Sequence, residues 1–208
     1  MPLVRKPAEH SPVAEPDAAE VLRLLSSASA DERWAAARAA WNVTGGVSAI
    51  AAALPKERDP HVREAMFTSL TRNGTAESVA AIIGQLRSDS ASLRAGALDA
   101  LRILVGSVPE LLPRLLNDKD TDVRILSCEL ARSLPDAEAT RLLCALLAAE
   151  REINVCAAAV DVLAEVGSSE ALATLEECAR RFRDSAFIVF AIKVVTDRIS
   201  SQCTPTRA

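Results

Sequence analysis

Five cysteines, two histidines and a set of regularly spaced arginines and aspartates are the side chains through which this chain could do chemistry. The cysteines, Cys128, Cys144, Cys156, Cys178 and Cys203, are odd in number and form no Cys-x-x-Cys pair. Structural zinc and dithiol redox sites usually need such a spacing. The first four fall inside helical patterns and are expected to be small buried hydrophobes in a reducing compartment. The histidines are His10 and His61, and no His-Glu dipeptide occurs. A metal site built on histidine is therefore not expected. Gly-x-Ser-x-Gly, a glycine-rich phosphate loop and a cysteine beside a histidine are all missing from the sequence. Those are the arrangements that activate a nucleophile or cradle a phosphate. The expectation is a protein with no catalytic residue, cofactor or metal site, and hence not an enzyme.

The arginines are spaced by something other than chemistry. Arg33, Arg63, Arg94 and Arg124, continued by Cys156, are separated by 30, 31, 30 and 32 residues. Ile188 opens a sixth, degenerate unit a further 32 on. Each of these anchors lies near the start of an apolar run with helical period. Asp59 followed by Pro60, Asp120, and the Ser29-Ala30-Asp31-Glu32 capping box are helix starts. Gly45-Gly46, Gly74, Gly106, Pro135 and Gly167 stand just past the runs and read as stops. Between these inner helices lie outer helices marked by Val21 to Leu25, Val47 to Leu54, Val79 to Leu86, Leu111 to Leu116, Leu142 to Leu147, and Leu172 with Leu175. A lone helix pair cannot bury such faces, but stacked pairs can.

Composition agrees. Half the residues are hydrophobic and only 3% are aromatic, so the apolar content is Ala, Leu and Val. Ala and Leu are strong helix formers, and alanine lets helices approach closely. The net charge of -4 argues against a dedicated nucleic-acid binder. No apolar run is long enough to cross a membrane, and no signal peptide is read at the N-terminus, so a cytoplasmic location is expected. Residues 1–16 carry four prolines and no apolar period and read as a disordered leader. Residues 17–200 read as one repeat domain and 201–208 as a flexible tail.

The pattern Asp59, Val62-Arg63, Ala65, Leu70, Gly74 resembles HEAT repeats. The short period is similar to that of phycobilisome-lyase-type HEAT proteins. The resemblance covers roughly residues 17–200. It implies an all-α fold, a right-handed α-solenoid of about six antiparallel helix pairs in a HEAT-like or armadillo-type superhelix. Enzymes of related fold are weighed through their own residues. Deoxyhypusine hydroxylase holds iron on His-Glu pairs, but the comparable segment here is Val62-Arg63-Glu64-Ala65. HEAT-like DNA glycosylases need a basic face. A bilin-lyase subunit or a nucleic-acid-binding HEAT protein therefore stands as the alternative to a protein-binding scaffold or adaptor. Short HEAT proteins also resemble bacterial accessory factors, some of them in chemotaxis-like signalling.

Four features are candidates for function or for its support. The anchors Arg33, Arg63, Arg94 and Arg124 are expected to form an internal ladder with Asp59, Asp89 and Asp120, tying repeats together. Five residues past each anchor come Arg38, Thr68, Asp99, Glu129, Asp161 and Lys193. The HEAT arrangement puts this row on the concave side. Its acidic middle, with Glu165, is a candidate surface for a basic partner. Arg102 and Arg132 neutralise part of it locally, and Asp161 has no such partner. Trp34 and Trp41, seven apart, are expected to fill the first repeat. Finally, Ile188, Val189, Phe190, Ala191, Ile192, Val194 and Val195 make the last helix apolar nearly all round, broken only by Lys193, with Phe187, Phe190 and Val194 as its candidate partner-binding residues. A terminal repeat should show a polar outer face, so another protein or a second copy is expected to cover it.

Overall fold

The computed structural model describes residues 17–106 and 110–203, and the N-terminal leader lies outside them. Twelve α-helices and four short 3-10 turns, with no strand among the described residues, form six antiparallel pairs. The outer helices are α1 (Ala18–Leu24), α3 (Gly46–Ala53), α5 (Ala76–Gln85), α7 (Leu111–Leu116), α9 (Asp136–Ala149) and α11 (Leu172–Arg181). The inner ones are α2 (Ala30–Ala39), α4 (Pro60–Asn73), α6 (Ala91–Val105), α8 (Thr121–Cys128), α10 (Ile153–Val166) and α12 (Ala186–Cys203). Inner helices stack on their neighbours: α2 on α4, α4 on α6, α8 on α10 and α10 on α12. The outer row is in contact at α3 with α5 and α9 with α11. One continuous core of Leu, Ile, Val and Ala runs through the stack. This is the α-solenoid expected from the repeat.

The starts form as the sequence directs. Asp59 accepts from the His61 and Val62 amides, and Asp120 from those of Asp122 and Val123. Only half of the capping box closes. Ser29 accepts from the Glu32 amide, whereas Glu32 turns its carboxylate to the Ser27 hydroxyl. The stops are less uniform than the glycines suggest. Gly74 ends α4 in the left-handed conformation at φ 65°, and Gly45 takes φ 78° ahead of α3. Gly106 and Gly167 have negative φ, so their flexibility is not what ends those helices.

Two inner helices are shorter than expected. Beyond Ala39 and beyond Cys128 the chain tightens into 3-10 turns, Ala40–Asn42 and Glu129–Ser133. In the second case Leu134 is extended because it precedes Pro135, which disfavours helical backbone there. The last helix is longer than expected and continues through Cys203, three residues past the assigned boundary. Residues 204–208 of the tail lie outside the described residues.

Side-chain hydroxyls and amides tie helices within and between repeats. Buried Ser69 donates to the Ala37 carbonyl at 2.5 Å, Asn73 to that of Trp41 at 2.7 Å, and Thr140 to that of Val166 at 3.2 Å. The closest approach is at Gly46, where an added Cβ would lie 2.0 Å from the Ala40 carbonyl oxygen. Backbone cannot yield there without moving α2 from α3. Gly46→Ala is therefore expected to lower stability by about 2–3 kcal/mol, measured by urea unfolding, despite alanine's better helix propensity.

Candidate functional site

The arginine anchors form a ladder, but its acid is not the expected aspartate. Arg33 forks onto Glu57 with Nε to Oε2 at 2.7 Å and Nη2 to Oε1 at 3.0 Å. Arg124 does the same to Glu150, at 2.7 and 3.4 Å. The third donor, Nη1, reaches back to the Ser27 carbonyl from Arg33 at 2.9 Å and to the Asp118 carbonyl from Arg124 at 2.8 Å. Asp59 and Asp120 instead cap helices, and Asp120 approaches only Arg87, at 3.7 Å. Asp89 enters no ion pair among the described residues. The reason is position. A cap carboxylate is held by its own helix amides, while the residue two places earlier faces the preceding repeat.

That earlier position recurs as Ser27, Glu57, Ser88, Asp118 and Glu150, with the same spacings as the anchors. At each one the side-chain oxygen accepts the amide hydrogen of the residue two further on, at 2.8–3.2 Å. The side chain thus shapes the turn into its own inner helix. At Glu57 and Glu150 the carboxylate also takes the anchor arginine of the repeat before. Hydrogen bonding from Arg33, reinforced by backbone amides, holds the Glu57 carboxyl below the usual carboxylate range. Burial alone would raise Glu150, but Arg124 and the Glu152 and Arg151 amides bring it below that range as well. Arg94 donates only to the Ser88 carbonyl, at 2.6 Å, because Asp118 is taken by Arg87 at 2.6 Å. In the fifth repeat, where Cys156 replaces the anchor, Arg181 arrives from α11. It caps the Leu147 and Glu150 carbonyls at 2.8 and 2.7 Å.

One arginine is shared by most of the acidic row. Arg132 binds Glu129 at 3.1 Å, Asp161 at 2.7 Å and Glu165 at 2.5 Å. Asp161 therefore has a partner after all, contributed by the neighbouring repeat rather than by its own helix. Asp99 pairs with Arg102, and Lys193 with Asp197 at 2.5 Å. These carboxylates are exposed and each enters an ion pair, but three of them share the single charge of Arg132, so the row keeps a net negative charge.

The two tryptophans differ. Trp41 is half-buried, with the Arg72 guanidinium 3.8 Å above its ring, and fills the first repeat as expected. Trp34 is 40% exposed and is covered only by Arg38 at 4.6 Å, so the packing expectation fails for it. On α12, Ile188, Ile192, Val195 and Ile199 form the buried face. Phe187, Phe190 and Val194, at i, i+3 and i+7, form a second stripe, exposed by 69, 68 and 51%. This is the apolar outer face that the sequence indicated.

Cys128 and Cys144 are poor nucleophiles, whereas the hydrogen bond with Cys156 lowers the Cys178 thiol. Burial pushes the Cys128 thiol up to about 12, and Cys144 is raised by burial too. Cys156 is raised by its hydrogen bond to Cys178 and by burial. No cluster of three or more His, Cys, Asp or Glu able to hold a metal occurs among the described residues, and no described helix is long and apolar enough to cross a membrane.

Residues 108–187 match the family of HEAT repeats. That stretch carries the HEAT-repeat pattern. No curated protein matches the chain. Among solved structures, the HEAT-like repeats protein of the archaeon Thermococcus onnurineus NA1 is 16% identical. The alignment covers 90% of this chain and 88% of that one, at a TM-score of 0.46. A chain of the complex of CpcE and CpcF of phycocyanin lyase from Nostoc sp. PCC7120 is 17% identical over 95% of this chain and 100% of that one, at 0.37. A chain of the S. pombe condensin Cnd3-Cnd2 subcomplex is 20% identical over 90% of this chain but 28% of its own length, at 0.43. At these identities and scores the likeness transfers no activity or partner.

Glu57 and Glu150 are the residues that sequence reasoning missed. The signal was present: an oxygen-bearing side chain six residues before every anchor from Arg33 to Cys156. It was hidden because the residue type varies among Ser, Glu and Asp while the position does not.

Proposed function

We propose that this HEAT-repeat protein is a non-catalytic scaffold that holds another protein. The contact would be made through the outer face of α12 and the concave row of inner helices. Within that class it is read as an accessory factor of a cytoplasmic signalling system of the bacterial chemotaxis kind, on its resemblance to short HEAT proteins. The observation that carries the scaffold reading is the exposed stripe of Phe187, Phe190 and Val194. Three large apolar side chains on the outermost helix of a solenoid lower its solubility unless something covers them. Bulky aromatic anchors on a rigid helix are what a protein interface uses for most of its binding energy. The row of Asp99, Glu129, Asp161 and Glu165 would serve as a polar, net acidic rim, because Arg102 and Arg132 offset only part of its charge. The raised thiols of Cys128 and Cys144 fit a binding role.

The test is photo-crosslinking in cells with a benzophenone side chain in place of Phe187. The expected product is a cross-link to a second polypeptide, either a different protein or another copy, with the attached peptide identified by mass spectrometry. Cross-links confined to residues 204–208 of the same chain would mean that the face is covered from within, and the reading would fail.

A further inference from the structure

A groove of roughly 500 Å³ runs between α4 and α6. It is lined on one side by Arg63, Phe67 and Thr71 and on the other by Ser92, Gly96 and Ile103. Those positions recur every three or four residues on each helix, so the groove follows the two helix axes. From Ser92 to Ile103 it is about 16 Å long, the reach of an extended segment of about five residues. The floor is apolar. The Phe67 ring packs so tightly on Gly96 that a Cβ there would lie 2.5 Å from it. Ile103 closes the far end and is 68% exposed, although nothing in the repeat requires an apolar residue there.

The near end holds an incomplete rung of the ladder. Arg33 and Arg124 each receive a glutamate from the following repeat, but the equivalent residue for Arg63 is Ser88. Ser88 is too short, and its hydroxyl accepts the Ser90 amide at 3.2 Å. The Arg63 fork turns to the Ser92 hydroxyl and to the Arg58 carbonyl at 3.4 Å, leaves its Nε with no hydrogen-bond partner, and enters no ion pair among the described residues. Arg94 also lacks a carboxylate bond, but its surroundings include Asp89, Asp120 and Asp122. Around Arg63 the groove offers only Glu64, on the rim, and Asp99, already paired with Arg102.

We propose that this groove binds an extended segment of a protein partner in which a glutamate is followed by aliphatic residues. The glutamate carboxylate completes the rung on Arg63 and Ser92. The aliphatic side chains lie over Phe67 and Gly96 toward Ile103. Glutamate is the natural occupant because the same fork geometry is filled by glutamate at Arg33 and Arg124. Bidentate arginine–carboxylate pairing gives orientation as well as affinity. The inference rests on the scaffold reading but not on α12, so the two can fail separately.

The experiment titrates the full chain with the acetylated, amidated peptide Glu-Ala-Leu-Ala-Leu and with its Gln-Ala-Leu-Ala-Leu and Lys-Ala-Leu-Ala-Leu counterparts, followed by amide NMR shifts. The glutamate peptide is expected to move the Ser92, Gly96 and Ile103 amides, and the glutamine peptide to bind roughly tenfold more weakly. The decisive variant is Ser88→Glu, which supplies the missing rung from within. It should raise the urea midpoint and abolish peptide binding. Glu64→Gln should leave binding equal or tighter. Equal binding of the glutamine peptide, tighter binding of the lysine peptide, undiminished binding by Ser88→Glu, or no shift at millimolar peptide would each overturn the proposal. Loss of the α12 cross-link with peptide binding intact would count against the α12 face alone.

Discussion

Arg124→Ala is expected to lower the unfolding free energy by about 3–5 kcal/mol, because it strands Glu150 with its side chain only 8% exposed. Two backbone carbonyls, those of Asp118 and Lys119, lose their donor in the same step. Urea unfolding measures the loss. Arg33→Ala should behave alike through Glu57, whose side chain is 5% exposed. Arg63→Ala should cost only about 1 kcal/mol, since it gives up a serine hydroxyl and one long carbonyl contact but no carboxylate. Equal losses at Arg63 and Arg124 would show that the glutamates are not what the ladder rests on. Replacing both members, as Arg124→Met with Glu150→Leu, should recover much of the loss because no buried charge is left unpaired.

The same pairs fix the acid limb of stability. The carboxyls of Glu57 and Glu150 titrate lower in the folded chain than in the unfolded one. Their contribution is fully present above the unfolded glutamate value of about 4.3 and is lost as pH falls through that value toward the folded one. The urea midpoint should therefore drop below about pH 4.5. In the double replacement Arg124→Met, Glu150→Leu the slope should be shallower by one group's share.

Phe190→Asp combined with Val194→Asp is expected to weaken the association made through α12 by at least a factor of about 100, without unfolding the helix. The fold tolerates the change because both side chains point away from the face built by Ile188, Ile192, Val195 and Ile199. Aspartates four apart on a helix repel by only a few tenths of a kcal/mol. A lost interface, by contrast, gives up the burial of a phenylalanine and a valine and must desolvate two carboxylates. Sedimentation over a hundredfold concentration range reads self-association, and capture by the tagged protein reads a different partner. Circular dichroism should stay unchanged in either case. Wild-type protein that remains monomeric throughout, together with a captured set unaltered by the two substitutions, would remove α12 as an interface.

The sequence by itself determined the repeat, its six helix pairs and the apolar outer stripe of α12. All three are periodic properties of the chain. The distance between anchors, the apolar period within each helix and the caps at Asp59 and Asp120 are set by neighbours a few residues away. The surplus of phenylalanine near the last helix is visible because Phe182, Phe187 and Phe190 are three of the four in the chain. Tertiary structure alone decided which charges meet. Arg33 finds Glu57 across 24 residues and Arg124 finds Glu150 across 26. The intervening outer helix brings the turn of one repeat against the anchor of the repeat before. Arg132 likewise collects Asp161 and Glu165 from the neighbouring repeat, placing a positive charge inside the acidic patch. Such pairings depend on side-chain length and on the stagger between stacked pairs, which no spacing within one helix encodes. The incomplete rung at Arg63 becomes visible only beside the two complete ones, since Ser88 is unremarkable in sequence and conspicuous where a glutamate would reach.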